Sequence, residues 1–299
     1  MTSEENKDLF GNIIEKKKIL REQFIEPPFT ILDSKQGNWQ RRKNIWKELG
    51  IESEVGRSDT TGKGFAQHMH KTNHAESTQR IVDVGTISIF DPALCEVIYK
   101  WFCKEKGKIL DPFAGGSVRG IVAEYLGYKY TGIDIRKEQI DSNVKQAIRI
   151  LEENQQPKWI LGDSNKVLDT IEEKFDFVFS CPPYGDLEIY SNLEGDISNM
   201  EYSEFLKSYT EIINKSCKLL KQNSYACFVV GDLRDKKGNY RGFVADTIKA
   251  FQNCGMPFYN DAVYVSPVGS ASMRASTNMK NQKLVKIHQN ILVFKKCLN

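Results

Sequence analysis

The sequence predicts an α/β fold: a mostly parallel sheet with helices on both faces, preceded by a small N-terminal extension. Two observations carry this. From Ile81 onward, short apolar runs alternate with amphipathic stretches of helical length, the signature of βαβ units. Before it, residues 1–80 are charged or polar and lack that alternation, which marks them as an extension to a main domain of residues 81–299.

In chain order, a charged helical start runs from about Glu4 to Phe24, followed by a turn at Glu26 to Pro28 and a basic helix holding Trp39 and Trp46. Between Glu52 and Arg80 the chain is polar, with Gly56, Gly62 and Gly64, and reads as a mobile loop. KIL at 108–110 is a strand leading into a glycine loop and a helix over Val118 to Leu126. Residues 130–135 form the next strand, before a long helix ending near Asn154, and residues 159–164 a third, before a short helix. Residues 175–180 form the fourth strand, followed by a polar loop and a helix over Tyr202 to Leu220. Residues 225–232 form the fifth, with a helix over Phe243 to Cys254 behind it. Two late strands, around Ala262 to Val265 and Asn290 to Phe294, have only loop between them and so include an antiparallel pairing at one side of the sheet.

Composition excludes several classes of function. No apolar run approaches the ~18 residues that span a bilayer, so no membrane association is expected. The charged N-terminus lacks the apolar core of a secretory signal, which points to the cytoplasm. Seven scattered cysteines without a CxxC read as reduced thiols. His68, His70 and His74 have no cysteine or clustered acid to complete a shell, so no metal is expected. The net charge of +3 is unevenly spread. Lys35 to Lys47 carries five bases and no acid, and Ala262 to Asn299 carries six bases and no acid. Two basic arms around a near-neutral body suit a polyanion, since each neutralised phosphate releases counterions. Trp39, Arg41, Arg42 and Lys43 in the first arm, and Arg274, Lys280 and Lys283 in the second, are the candidate nucleic-acid contacts.

Chemistry is suggested first by the loop Asp111-Pro-Phe-Ala-Gly-Gly-Ser-Val-Arg-Gly120, between a strand and a helix. Ligands bind in that crevice in open α/β sheets. Phe113, Ala114, Gly115 and Gly116 are its candidate contacts, the glycines allowing close backbone approach. The loop matches neither a P-loop nor GxGxxG. Asp111 repels a pyrophosphate but suits S-adenosylmethionine, which has an ammonium and a sulfonium and no phosphate. Asp134, with Ile135, ends the second strand where an acid can accept from ribose hydroxyls. Asp163, with Ser164, ends the third, within reach of an adenine amino group.

The sharpest signal is Ser180-Cys181-Pro182-Pro183-Tyr184 after the fourth strand. An exocyclic amino group is a poor nucleophile because its lone pair is delocalised into the ring. Hydrogen bonds from its two N–H groups to the side chain of Cys181 and to the Pro182 carbonyl would draw the nitrogen towards tetrahedral geometry. Pro183 helps to fix that carbonyl, and Tyr184 offers a face on which a base swung out of its helix can stack.

With these motifs in order, the chain resembles the class I amino-methyltransferases that modify adenine N6 or cytosine N4, whose hallmark is Asp, Asn or Ser followed by Pro-Pro and an aromatic. The resemblance covers roughly Val84 to Lys296 and implies a Rossmann-like, seven-stranded sheet. It implies S-adenosylmethionine at Asp111, Asp134 and Asp163, and catalysis at residues 181 to 184. It also implies a cofactor segment at Ser88 to Pro92, adding Phe90 and Asp91. The sequence departs from the family at Cys181, a weak acceptor where the family has a strong one.

The expected function is methyl transfer to an exocyclic amino nitrogen of DNA. An RNA or protein-amide substrate, or a scaffold that binds cofactor and DNA without transfer, stays open. So do adenine versus cytosine and a homodimer. The acid-rich stretch Gly185 to Glu204 speaks against phosphate binding there, and Ser266 to Gln289 is the better candidate surface.

Overall fold

The computed structural model describes residues 19–52, 90–184, 193, 195–235, 237–266 and 271–297. The expectations for the helical start before residue 19, for the glycine-containing loop with its histidines and for Ser88 lie outside them.

The strands are β1 (Ile31–Asp33), β2 (Lys108–Asp111), β3 (Lys129–Asp134), β4 (Lys158–Leu161), β5 (Phe175–Ser180), β6 (Leu220–Val230), β7 (Phe258–Val265) and β8 (His288–Lys295). The helices are α1 (Leu20–Phe24), α2 (Gly37–Glu48), α3 (Pro92–Phe102), α4 (Val118–Tyr125), α5 (Lys137–Ile150), α6 (Ser164–Val167), α7 (Tyr202–Leu219), α8 (Phe243–Asn253) and α9 (Ala271–Lys280). One eight-stranded sheet runs in the order β1-β7-β8-β6-β5-β2-β3-β4. Only β8 runs against its neighbours, β6 and β7, in the antiparallel pairing foreseen for the late strands.

Central strands alternate between two cores because successive side chains leave opposite faces. Ile109, Phe177, Phe179, Cys227 and Val229 enter the core shared with α2, α3 and α4. Leu110, Val178, Ala226, Phe228 and Val230 enter the core shared with α7 and α8. Burial on both faces explains why these strands read as continuous apolar runs.

Two expectations need correction. The sheet has eight strands, not seven: β1 pairs in parallel with β7, Ile31 opposite Val263 through Asp33 opposite Val265. Three residues with one fully buried side chain are too short to show a period-2 pattern. The connection between β7 and β8 is not loop alone but contains α9, whose Ser, Thr and Asn composition hid it.

Candidate functional site

Parallel pairing puts the carboxyl ends of β4, β3, β2, β5 and β6 along one edge. Asp111, Asp134, Asp163, Ser180 and Gly231 end these strands or directly follow them. With β8 reversed between β6 and β7, the ends of β7 and β1 fall on the same edge. The lead-ins to α2 and α9 therefore start there too, with Ser34 Oγ donating to the Val265 carbonyl at 2.8 Å.

Asp111 is fully buried at the centre. Its Oδ1 accepts from Ser180 Oγ at 2.5 Å and from the Phe113 amide at 3.1 Å. Its Oδ2 accepts from Arg119 Nε at 2.5 Å and the Tyr130 hydroxyl at 2.7 Å. Arg119 is itself buried, and its Nη2 donates to the Phe113 and Ala114 carbonyls at 2.7 Å each. Burial alone would lower the Arg119 pKa, but Asp111 and Tyr130 hold it well above the usual range. Burial, then Asp111, pushes the Tyr130 hydroxyl up. The Asp111 charge is thus balanced by Arg119, and both its oxygens accept hydrogen bonds from the protein. Through these bonds Asp111 shapes the loop.

Gly115 has φ +51°, a conformation that favours glycine, and the space where a β-carbon would project is open. Its amide donates to Asp134 Oδ2 at 3.0 Å, and its carbonyl accepts from Asn143 Nδ2 at 2.8 Å. The other oxygen of Asp134 accepts from the Arg136 amide at 2.7 Å. Asp134 and Ile135 remain half-buried at the crevice. Asp163, also half-buried, caps α6 through the Asn165 amide at 2.9 Å, and Ser164 Oγ ties that turn to the Pro112 carbonyl at 2.6 Å. Gly195 lies against the Asp163 carboxylate. Phe113 packs edge-on to Phe228 and beside Tyr209, while Ala114 and Gly116 are buried. Acceptors at two adjacent strand ends, with a left-handed glycine between them and β2, fit an adenosyl group carrying a ribose diol and an amino group. The Gly115 amide, already donating to a carboxylate, does not suit a phosphate.

Cys181, Pro183 and Tyr184 are half-buried and Pro182 buried. The Tyr184 hydroxyl accepts from Gln289 Nε2 at 2.5 Å; the ring meets Phe243 edge-on at 6.2 Å and lies over Gly231. The Ser180–Asp111 bond thus joins the proline loop to the glycine loop.

Other sequence candidates are placed differently. Asp91 is buried as the N-cap of α3, with Ala93 donating to Oδ1 at 2.9 Å. Its Oδ2 accepts from Trp39 Nε1 at 3.2 Å, Lys43 Nζ at 3.1 Å and the Tyr264 hydroxyl at 2.7 Å. These bonds make it a structural node between α2, α3 and β7. Phe90 packs edge-on to Phe179 under the Arg119 guanidinium, 4.7 Å from its centroid. In the first basic arm Trp39 is buried, Lys43 is paired with Asp91, and Arg42 reaches Glu96 at 2.6 Å. This takes Trp39 out of reach of a base and gives two expected phosphate ligands protein partners. Arg41 is exposed, as are Arg274 and Lys280, while Lys283 is half-buried. No helix among the described residues is long and apolar enough to cross a membrane.

Sequence reasoning missed Arg119, Ser180, Asn143 and Gln289. Arg119 had a signal: one arginine among Val118, Ile121 and Val122 on a short helix requires a buried partner.

Residues 7–146 match the family model described as DNA methylase, of the N6/N4 class. The match takes in α2, α3 and the glycine loop through Asp134 and stops before Cys181. No curated protein matches the chain. Among solved structures, TrmN from Thermus thermophilus is 12% identical with a TM-score of 0.47, over 69% of this chain and 49% of that one. A candidate RNA methyltransferase from Pyrococcus horikoshii is 16% identical with a TM-score of 0.44, over 69% of this chain and 83% of that one. Magnesium protoporphyrin IX methyltransferase from Synechocystis, solved with bound S-adenosylmethionine, is 13% identical with a TM-score of 0.44, over 85% and 96%. This chain spans about half the length of TrmN, and likeness at this level says nothing of substrate.

Proposed function

We propose that this chain, whose residues 7–146 match the N6/N4 DNA methylase family model, uses S-adenosylmethionine to methylate an exocyclic amino nitrogen of a DNA base. The carrying observation is the 2.5 Å bond from Ser180 Oγ to Asp111 Oδ1, which holds the start of the proline loop against the start of the glycine loop on adjacent parallel strands. Two loops so joined serve two guests in one crevice.

When bound, S-adenosylmethionine supplies an electrophilic methyl group. The residues assigned to it are Asp134, Asp163 and the open backbone at Gly115; Phe113, Ala114, Gly116, Ile135 and Ser164 shape the turns that present them. The Pro182 carbonyl accepts one N–H of the target amino group, and Cys181, half-buried at the loop tip, accepts the second weakly. Tyr184, held by Gln289, offers a face to a base extruded from its helix. Orientation supplies most of the acceleration in such an arrangement. The exposed Arg41, Arg274 and Lys280 contact the backbone.

Incubating the full chain with isotope-labelled S-adenosylmethionine and duplex DNA, then analysing nucleosides by mass spectrometry, tests this. Labelled N6-methyladenine or N4-methylcytosine is expected. Label confined to RNA or protein in parallel incubations overturns the DNA reading. Cofactor binding without transfer to any acceptor, also after Cys181→Asp, establishes a scaffold instead.

A further inference from the structure

The turn after β6 gathers positive charge beside Tyr184. Arg234 and Tyr240 form an antiparallel bridge, closed by Gly238 N to Asp235 O at 2.9 Å and Arg241 N to Leu233 O at 2.9 Å. The Arg234 guanidinium lies 3.9 Å over the Tyr240 ring, and its Nη1 donates to the Gly238 carbonyl at 2.7 Å. From the segment before β8, the Lys286 ammonium comes within 5.9 Å of the same ring centroid. The Lys283 ammonium lies against Gly238, where a β-carbon would collide with it. Three cations from two chain segments thus converge on one turn.

Such convergence is repulsive, and the local acids do not form ion pairs with it. Asp232 Oδ1 accepts from the Leu233, Gly242 and Phe243 amides at 3.0, 3.0 and 3.1 Å. Asp235 Oδ1 accepts from the Asn239 amide at 2.9 Å. Among the described residues, no carboxylate comes within ion-pair distance of Arg234, Lys283 or Lys286. Burial holds the Lys286 pKa below its ordinary range although the Asp232 charge acts the other way, so an incoming anion would favour its charged form.

The location joins this cluster to the proposed base cradle. Gly231, which lies beneath the Tyr184 ring, directly precedes the turn, and Gln289, which donates to the Tyr184 hydroxyl, follows Lys286 closely in the chain. We infer that Arg234, Lys283 and Lys286 grip the backbone phosphates next to the nucleotide seated on Tyr184; this rests on the function proposed above. Contacts from such cations to phosphates position a backbone and carry no base readout.

The test is fluorescence anisotropy of the full chain with a labelled duplex across a salt series, with single-stranded RNA of the same sequence in parallel. Arg234→Gln and Lys286→Gln are each expected to lower the slope of log affinity against log salt by about 0.9 on duplex DNA. Weakening should be similar across sequences. Arg234→Lys should keep most of the slope, and the affinity for S-adenosylhomocysteine should stay unchanged, which separates charge from misfolding. Wild-type affinity and slope in the double Gln variant would overturn the inference while leaving methyl transfer to DNA intact. Loss of slope on RNA alone would keep the phosphate grip and overturn DNA as its source.

Discussion

Arg119 and Asp111 form an ion pair, Nε to Oδ2 at 2.5 Å, whose side chains are 6% and 0% exposed. The pair is also the hinge pin of the site, because Asp111 holds Ser180 at the foot of the proline loop while Arg119 holds two carbonyls of the glycine loop. The glycine loop and the proline loop are therefore fixed to each other by one buried charge pair.

Removing one member of such a pair strands the other. Arg119→Met should destabilise the protein by about 3–5 kcal/mol, the usual cost of an uncompensated buried charge. Arg119→Lys should recover only part of it, since a single ammonium cannot reproduce a fork that serves Asp111 and two carbonyls at once. Urea unfolding at neutral pH reads both; a wild-type midpoint in Arg119→Met would show that the pair contributes nothing.

The thiol of Cys181 sets a second expectation. A carboxylate accepts a charge-assisted hydrogen bond where a thiol accepts a weak one. Cys181→Asp should raise kcat about tenfold, equivalent to ~1.4 kcal/mol in the transition state, and Cys181→Ala should lower it. Steady-state methyl transfer measures the series. An unchanged rate in Cys181→Ala would leave the Pro182 carbonyl as the sole activating group.

The parallel frame and its loops were legible because strands buried on both faces advertise themselves as apolar runs, and because Gly115, Asp134 and Pro182 stand at strand ends. Partner choice among buried charges was not. Asp111 and Asp91 look in sequence like ligand-facing acids, yet their partners, Arg119 on the next helix and Trp39, Lys43 and Tyr264 from distant segments, are decided by packing. In the first basic arm, counting bases along α2 likewise ignores that Arg42 and Lys43 face Glu96 and Asp91.

Tyr184 should act through its ring more than its hydroxyl. Stacking of a base on an aromatic is worth roughly 1–3 kcal/mol, so Tyr184→Ala should lower kcat/KM by about 5- to 150-fold. Tyr184→Phe loses the bond from Gln289 but keeps the ring, and should stay within a few-fold. Fluorescence of 2-aminopurine at the target position should report loss of the stacked, extruded base in the Ala variant alone.

His288 gives the fold a measurable pH dependence. Burial, then the neighbouring Lys286, lowers its pKa below the ordinary 6.5. The unfolded chain therefore binds the proton more readily, so stability from the neutral ring is fully present above about pH 6.5 and is lost as pH falls through the lower folded value. Denaturation midpoints at descending pH should decline in this window, and His288→Gln should flatten the decline. An equal slope in the variant would assign it to other groups.

Asp91 allows a structural and a ligand-binding role to be told apart. Its carboxylate accepts from the Ala93 amide, an indole, an ammonium and a phenol, and so ties α2 and β7 to the start of α3. Replacing it with Asn keeps the shape but removes the charge facing Lys43, which is only 18% exposed. Asp91→Asn should therefore lose stability by a few kcal/mol, about the cost of one broken, largely buried pair. The double variant Asp91→Asn/Lys43→Met should regain part of that loss, because no charge is then left without a partner. S-adenosylhomocysteine affinity, read by calorimetry well below the melting transition, should change less than threefold in either. A large affinity loss with unchanged stability would return Asp91 to the cofactor. The reverse pattern makes it the bolt through which the N-terminal helices belong to the sheet.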